Sequence, residues 1–499
     1  MPISPNDIYA FVGSVLGLVV LIALGEGIRR LGCPQVHTRR LVHAGVGLFV
    51  VFTPDLFTEA TLVYVLAVGF VLVNGWMLYH KWPQSLHASG RESWGTVVFP
   101  LALLPALYVC WTIDPSRQFV LRTAFLTLAL ADPVAAWVGM ARGKTILLDQ
   151  EGDKTSLAGS IAFGGVAFLV TSGVLLTLPQ GELLSWTGAD VLLVALSVAT
   201  LSTAAEALGR RGWDNFFIVV AVTAALVVAH EHPAMRWKIV AAVAGGALFT
   251  GLTWRLGVLD RAGALAGGLL ATTLLLAGPT WLVPGLAFFV LSSALSLLGR
   301  GRKQQVQHHY AKSDTTRDAA QVYANGGVAW GMLLVYLVVP NDALYWGFLG
   351  AFAAAAADTW ATELGVLSPR RPRSLRTGRN VPHGTSGAVS GVGMVAALVG
   401  AVTVVAGAAW TGAFGTEWRV PLSVLTACGG GGALVDSLAG ALLQAQYYDA
   451  HEQAYRETPS ASGTSQLAHG WRCITNDRVN WMGTTSGALL AVVAYVLVG

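Results

Sequence analysis

Apolar stretches long enough to cross about 30 Å of hydrocarbon recur along the whole of this chain, and no other feature restricts its fold so severely. Ile8 to Ile28, Tyr64 to Tyr79, Val120 to Val138, Ile161 to Leu176 and Val395 to Trp410 are five of about sixteen such segments. Hydrocarbon offers no hydrogen-bond partner to an open backbone, so the expected fold is all-α: a polytopic integral membrane protein with about sixteen transmembrane helices in two bundles. The composition agrees, with 54% hydrophobic and only 12% charged residues, against roughly 25% charged in a soluble domain. No small-residue cleavage site follows the first stretch, which is therefore expected to stay as a helix rather than leave as a signal peptide.

The formal net charge of +4 is no sign of a nucleic-acid partner, because the basic residues sit in short loops between spans, where they set orientation. If the loop bearing Arg29, Arg30, Arg39 and Arg40 is cytoplasmic and the spans alternate, only Arg117, Arg122, Arg236, Lys238 and Arg419 of the 31 Lys and Arg fall outside. Both termini are then outside, and a bacterial cytoplasmic membrane is the expected location. The four cysteines, Cys33, Cys110, Cys428 and Cys473, form no CxxC pair and imply neither a disulfide framework nor a structural metal.

The polar stretch His230, Glu231, His232, Pro233 divides the chain into parts spanning 1–233 and 234–499, with no convincing internal repeat. Cytoplasmic loops are expected near 29–40, 80–94, 141–157 and 206–213 in the first part, and near 255–261, 299–320, 366–385 and 444–480 in the second.

In the first part the informative run is Asp132-Pro133, Gly139, Gly143-Lys144, then Gly152-Asp153-Lys154-Thr155-Ser156 and Gly159-Ser160. An acid at the inner end of a span is followed by a glycine-bearing loop with two lysines, and then by a small-residue stretch opening the next helix. A metal-bound polyphosphate needs such parts: a carboxylate, ammonium groups and free amides at a helix N-terminus. No GxxxxGK[ST] loop is present. Orientation alone would account for either lysine, but an acid in an apolar span costs about 2.5 to 3.5 kcal/mol on insertion scales and marks function or an ion pair.

This run resembles the CTP-dependent lipid kinases, the family of dolichol, phytol and farnesol kinases, which are related to phosphatidate cytidylyltransferases. Three further stretches fall in the family's order: Arg39-Arg40-Leu41-Val42-His43, Ser93-Trp94-Gly95-Thr96 with Phe99-Pro100, and Glu206 with Gly212-Trp213-Asp214-Asn215. The resemblance covers nearly all of residues 20–230. It implies that Asp132 is the metal- or phosphate-site acid, that Lys144 and Lys154 contact phosphates, and that Glu206, Asp214 and Asn215 complete the polar site. Arg40 and His43 join it, His43 as a base near the acceptor hydroxyl or as a hydrogen-bonded structural residue. Gly139, Gly143, Thr155, Ser156, Gly159 and Ser160 are the expected nucleotide-binding backbone and hydroxyl groups.

The second part carries other motifs: Asn325 within Ala324-Asn325-Gly326-Gly327-Val328-Ala329, Asp358-Thr359-Trp360-Ala361-Thr362-Glu363 at the end of a span, and a loop with Arg370, Arg371, Arg373, Arg376 and Arg379. Gly384-Thr385-Ser386-Gly387 follows, expected to offer amides and hydroxyls at a helix start. Asp358 and Glu363 are five residues apart, about 140° around a helix, and converge only if the helix ends between them. Asp436 within an apolar segment and Asn480 before the last span complete the set, with Asp358 the expected metal ligand. Over roughly 255–498 these motifs resemble the integral membrane family that includes plant phytyl-phosphate kinase.

The two resemblances together imply consecutive steps on one chain: an isoprenoid alcohol of the phytol or geranylgeraniol type converted to its monophosphate by the first part, and the prenyl phosphate to the diphosphate by the second. CTP is the implied phosphoryl donor and Mg²⁺ the implied metal, with the lipid bilayer as surroundings. Two other classes compete: a transporter or flippase of a phosphorylated lipid, and a CTP-dependent CDP-lipid synthase that would release pyrophosphate rather than CDP. Neither prenyl length nor oligomeric state is legible.

Overall fold

The computed structural model describes residues 4–80, 93–150, 153–178, 186–297, 316–449, 454–459 and 465–498. Gly152, most of the expected loops 80–94 and 299–320, and part of the loop 444–480 lie outside them. The protein is all-α and polytopic. Among the described residues there are sixteen α-helices, of which twelve spans are long and apolar enough to cross a membrane. The chain forms two compact units, Met1–Val243 and Ala244–Gly499.

The first unit contains α1 (Pro5–Arg30), α2 (Gln35–Leu56), α3 (Thr61–His80), α4 (Gly95–Leu107, continued by a π-helical turn to Ile113), α5 (Gln118–Arg142), α6 (Leu157–Thr177), α7 (Gly188–Leu208) and α8 (Asp214–Glu231). Between α5 and α6 the chain makes an antiparallel hairpin of β1 (Ile146–Gln150) and β2 (Asp153–Ser156). Helix α5 is the centre, packed on α2, α6 and α8. Its buried residues from Phe119 to Ala135 are mostly small or apolar, and its neighbours approach closely because they offer glycine. A Cβ on Gly47 of α2 would stand 2.7 Å from that of Ala129, and one on Gly159 of α6 would stand 3.0 Å from the Ala135 carbonyl. Charged residues at the end of this unit remote from the hairpin are paired: Arg122 with Asp55 at 2.6 Å, Arg117 with Glu231 at 3.0 Å, and Arg236 with Asp190 at 3.7 Å.

After α9 (Arg236–Arg255), which carries the chain across the boundary, the second unit holds α10 (Arg261–Ala277), α11 (Pro279–Leu297), α12 (Ala319–Tyr336), α13 (Asp342–Gly365), α14 (Gly391–Trp410), α15 (Arg419–Leu442) and α16 (Asn476–Val498). Short strands β3 (Arg373–Ser374) and β4 (Ala388–Val389) pair before α14, and β5 (Gln446–Asp449), β6 (Ala454–Arg456) and β7 (Ser465–His469) form a sheet of order β6-β5-β7. Helix α13 is buried continuously from Trp346 to Ala357. A helix buried on every side must be the hub of its bundle, and α13 packs on α11, α12, α14, α15 and α16. Its run of alanines makes that possible, since small side chains let several helix backbones come close at once. Gly350 and Gly487 are in reciprocal contact, a Cβ on Gly487 meeting the Gly350 carbonyl at 2.6 Å and Ala354 Cβ at 2.7 Å.

Gly487→Val should therefore overpack the hub and lower stability by about 1–3 kcal/mol, while Gly331→Val, where a Cβ meets nothing within 4 Å, should change it far less. Thermal unfolding in detergent checks this; equal shifts for the two variants would refute the hub.

Candidate functional site

The acids singled out in the first unit come from α5 and, more than seventy residues later, from the two sides of the α7–α8 turn. Asp132 lies on α5 ten residues before the end of that helix, Glu206 on the last turn of α7, and Asp214 and Asn215 on the first turn of α8. The turn between α7 and α8 is held by backbone geometry. Arg211 has a positive φ of 52°, its carbonyl accepts from Trp94 N at 2.7 Å, and its own N–H donates to Asp153 Oδ2 at 3.1 Å. Gly212, at φ 95°, leaves no room for a side chain, since an added Cβ would stand 2.2 Å from Gly95 N. These contacts tie the hairpin, the start of α4 and the α7–α8 turn into one ring around the acids.

Inside that ring is a cavity of about 430 Å³, within the usual size for a site that engulfs a drug-sized ligand. Its mouth carries Arg39, Arg40, Lys154 and Arg211 beside Asp132, Glu206 and Asp214. The three acids act electrostatically on one another, and the Arg39 and Arg40 charges act on Asp132. His43 Nε2 lies 3.9 Å from Asp132 Oδ2, and its ring stands edge-on to Phe99 with centroids 5.1 Å apart. Buried atoms without a hydrogen-bond partner gather here: His43 Nε2, Glu206 Oε2 and Asp214 Oδ1. Unsatisfied buried groups in one cavity are groups kept for a ligand or ion. Asn215, by contrast, is spent on structure, donating to the Gly95 carbonyl at 3.1 Å.

Below the mouth the lining turns apolar, with Val46, Phe49, Leu66, Ala67, Phe70 and Leu103. Helices α2 and α3 have few close backbone approaches, α1 packs on both, and the cavity lies between them and α4.

Other expected ligand groups lie elsewhere. Lys144 is exposed and outside the cavity lining. Lys154 lines it but also pairs with Asp149 across the hairpin at 3.5 Å. Ser156 Oγ accepts from Gly159 N at 3.1 Å and so caps α6. Gly139, Gly143 and Gly159 crowd around that hydroxyl, an added Cβ on each meeting it at 3.0 Å or less, which makes them the close seam between α5 and α6. Ser160 is buried on the next turn with its hydroxyl unpartnered. Among the described residues of the small-residue run, Asp153, Lys154 and Thr155 line the cavity. Asn74, Arg39 and Arg211 are lining residues that the motifs did not single out as ligands; for Arg211 the signal was its place between two glycines after Glu206.

In the second unit α13 runs unbroken past both Asp358 and Glu363, so the two diverge. Glu363 Oε1 accepts from Ser296 Oγ of α11 at 2.6 Å, and Arg317 Nη2 reaches the same hydroxyl at 3.3 Å. Burial pulls the Arg317 guanidinium below its ordinary pKa, and the nearby Glu363 charge works against that. Asp358 meets Asp436 of α15 instead, their carboxyl groups within hydrogen-bonding reach. With its amide nitrogen facing the carboxylate, Asn480 of α16 donates to Asp436 Oδ2 and to the Asn476 carbonyl, 3.3 Å each. Asn325 bonds back to the Gln321 carbonyl at 2.9 Å and lines a separate cavity of about 60 Å³ with Arg317.

The Gly384-Thr385-Ser386-Gly387 run does not open a helix; α14 starts at Gly391, capped by Ser390. Ser386 Oγ instead donates to Gln444 Oε1 at 2.5 Å, Thr385 Oγ1 donates to the Pro382 carbonyl at 2.8 Å, and Gly387, at φ 68°, lies against the backbone of Ala441. Gly384 has φ 86° in the same turn. Arg379 is exposed, its carbonyl accepting from Ser374 N at 3.0 Å.

Residues 244–488 match the family described as integral membrane protein DUF92. The chain is also similar to Protein PGR of Arabidopsis thaliana, 28% identical over 287 residues that make up 53% of this chain and 98% of that protein. Uncharacterized membrane protein MJ0933 of Methanocaldococcus jannaschii is 28% identical over 241 residues, 48% of this chain and 86% of that protein. No solved structure matches. Asp358, Glu363, Asp436 and Asn480 all lie in the DUF92 segment.

Among the described residues no group of three or more His, Cys, Asp and Glu is arranged to hold a metal ion. Mg²⁺ does not require one, since it usually takes one or two carboxylates and fills its shell with water and substrate phosphate. Asp132 and Asp214, with the unpartnered Asp214 Oδ1, fit that role.

As the cap of α6, Ser156→Ala should destabilise the protein by about 1 kcal/mol in the absence of nucleotide. An unchanged thermal midpoint in detergent would refute the capping role.

Proposed function

We propose that the first unit is a CTP-dependent kinase of isoprenoid alcohols. The observation that carries the reading is a single cavity joining a charged mouth to an apolar slot. A prenol is a long apolar body with one reactive hydroxyl, and the phosphoryl donor is a polyanion; a site for both needs that junction. Arg39, Arg40, Lys154 and Arg211 would neutralise the phosphates, and Asp132 and Asp214 would hold Mg²⁺. A Mg²⁺ held there would supply charge neutralisation to the phosphoryl group being transferred.

His43 lies between the acids and the slot, where the hydroxyl of an inserted alcohol would stand. Its unpartnered Nε2 takes the hydroxyl proton as the alcohol oxygen attacks the γ-phosphorus. The bond from that phosphorus to the β-phosphate oxygen breaks, and CDP leaves. The second unit, through the Asp358–Asp436 pair with Asn480, would carry the prenyl phosphate to the diphosphate by the same chemistry. One covalent chain would then keep the intermediate near its second site.

The test is incubation of the purified chain in liposomes with CTP labelled at its γ-phosphate, Mg²⁺ and phytol or geranylgeraniol, followed by separation of lipid and nucleotide products. Labelled mono- and diphosphate with CDP are expected. Pyrophosphate as the product would favour a CDP-lipid synthase, and no labelled lipid with any nucleotide would favour transport.

Asp132→Asn should slow the first step by at least about a hundredfold and leave prenyl phosphate conversion intact, and Asp358→Asn should do the reverse. Supplying the alcohol and the monophosphate separately resolves the two steps; parallel loss of both in each variant would sink the assignment of one step to each unit.

A further inference from the structure

We infer that the apolar slot of the first unit sets the length of the alcohol it accepts, with Val50, Val63 and Leu103 as its floor and Ala67 as the residue that fixes its usable depth. The inference rests on the prenol reading for the identity of the occupant.

Each wall can be followed from the mouth down. On α2 the lining passes from His43 to Val50, on α3 from Asn74 to Val63, and on α4 from Gly95 to Leu103. At about 1.5 Å per residue these paths descend about 10 to 16 Å, roughly half of a 30 Å hydrocarbon layer. Asn74 belongs to the mouth, because its side chain donates to the Thr96 carbonyl at 2.7 Å. At the other end Val50, Val63 and Leu103 are 2%, 1% and 5% exposed, and Leu18 of α1 is 4% exposed. These four buried side chains cover the lower end of the slot.

Ala67 stands seven residues from Asn74 on α3, about 10 Å down the wall. It is 2% exposed and lines the cavity, so any side chain added there grows into the slot or into its walls. The opposite change is available at the floor, where Val63→Ala removes two methyl groups.

The experiment uses the full chain in liposomes with geraniol, farnesol and geranylgeraniol. Binding is read without nucleotide, by photocrosslinking of diazirine-bearing forms of the three alcohols, and turnover is read with γ-labelled CTP. Ala67→Phe is expected to keep geraniol and to weaken geranylgeraniol by at least about tenfold relative to it, and Val63→Ala to shift the preference toward the longer alcohol.

If Ala67→Phe and Val63→Ala leave the ranking of the three alcohols unchanged, the slot does not measure length, whether or not the kinase reading stands. If the binding ranking shifts as expected while no alcohol is ever phosphorylated, the slot inference holds and the kinase reading falls. Failure of the unmutated chain to capture any of the three alcohols overturns both. Val63→Ala keeps the test decisive should Ala67→Phe fail to fold.

Discussion

An acid on a membrane helix costs about 2.5 to 3.5 kcal/mol if it must face hydrocarbon, and that cost organises both units. In the first, Asp132 on α5 and Glu206 and Asp214 on either side of the α7–α8 turn all line the same space. Cations from α2 and the hairpin face them there. Like charges gathered in one place repel, so the arrangement is stable only with those cations, bound protons or a metal to offset it. A bundle that needed its acids only for packing would have paired each with a partner. The carboxylates remote from the hairpin do so: Asp55 pairs with Arg122 and Glu231 with Arg117, whereas Glu206 Oε2 and Asp214 Oδ1 have no hydrogen bond.

The second unit resolves the same cost in two ways on one helix. Glu363 is absorbed into a knot with Ser296 and Arg317, which joins α11 to α13 and to the segment that opens α12. Asp358 and Asp436 have each other, and Asn480 adds one donor. Two carboxyl groups in contact hold together only with a shared proton or a cation between them, which sets this pair apart from the hydrogen-bonded Glu363.

Much of this was legible. The recurrence of apolar segments dictated an all-helical membrane fold, and the four short motifs of the first unit do meet in space, although His43 and Glu206 are far apart in sequence. What could not be read was which polar residues would be consumed locally. Ser156 has the composition of a phosphate ligand and the geometry of an N-cap, and a sequence cannot separate these because the same hydroxyl suits both. Gly139, Gly143 and Gly159 likewise look like a flexible cradle, yet they are small because two helices cross there. The divergence of Asp358 and Glu363 followed from helix angle alone once α13 proved continuous. The apolar slot was hidden for a different reason: it lies where α2 and α3 make few close backbone approaches, and sparse contact leaves no periodicity in either helix.

That sparse contact bears on how such a slot would discriminate between ligands. A prenyl chain entering it from the bilayer exchanges one hydrocarbon surrounding for another, so burial contributes little of the roughly 25 cal/mol per Å² that it would contribute from water. The attraction must come from the charged mouth and from close packing along the walls. Preference for one chain length then cannot arise by adding buried area with each isoprene unit. It would arise from fit, because a chain too bulky to fold into the slot would strand its hydroxyl above His43 and Asp132 or force the floor residues apart, and forced overpacking costs about 1–3 kcal/mol. The floor that would limit the chain would thus also position the hydroxyl: a chain resting on Val50, Val63 and Leu103 would present its reactive end at a fixed height beside the acids.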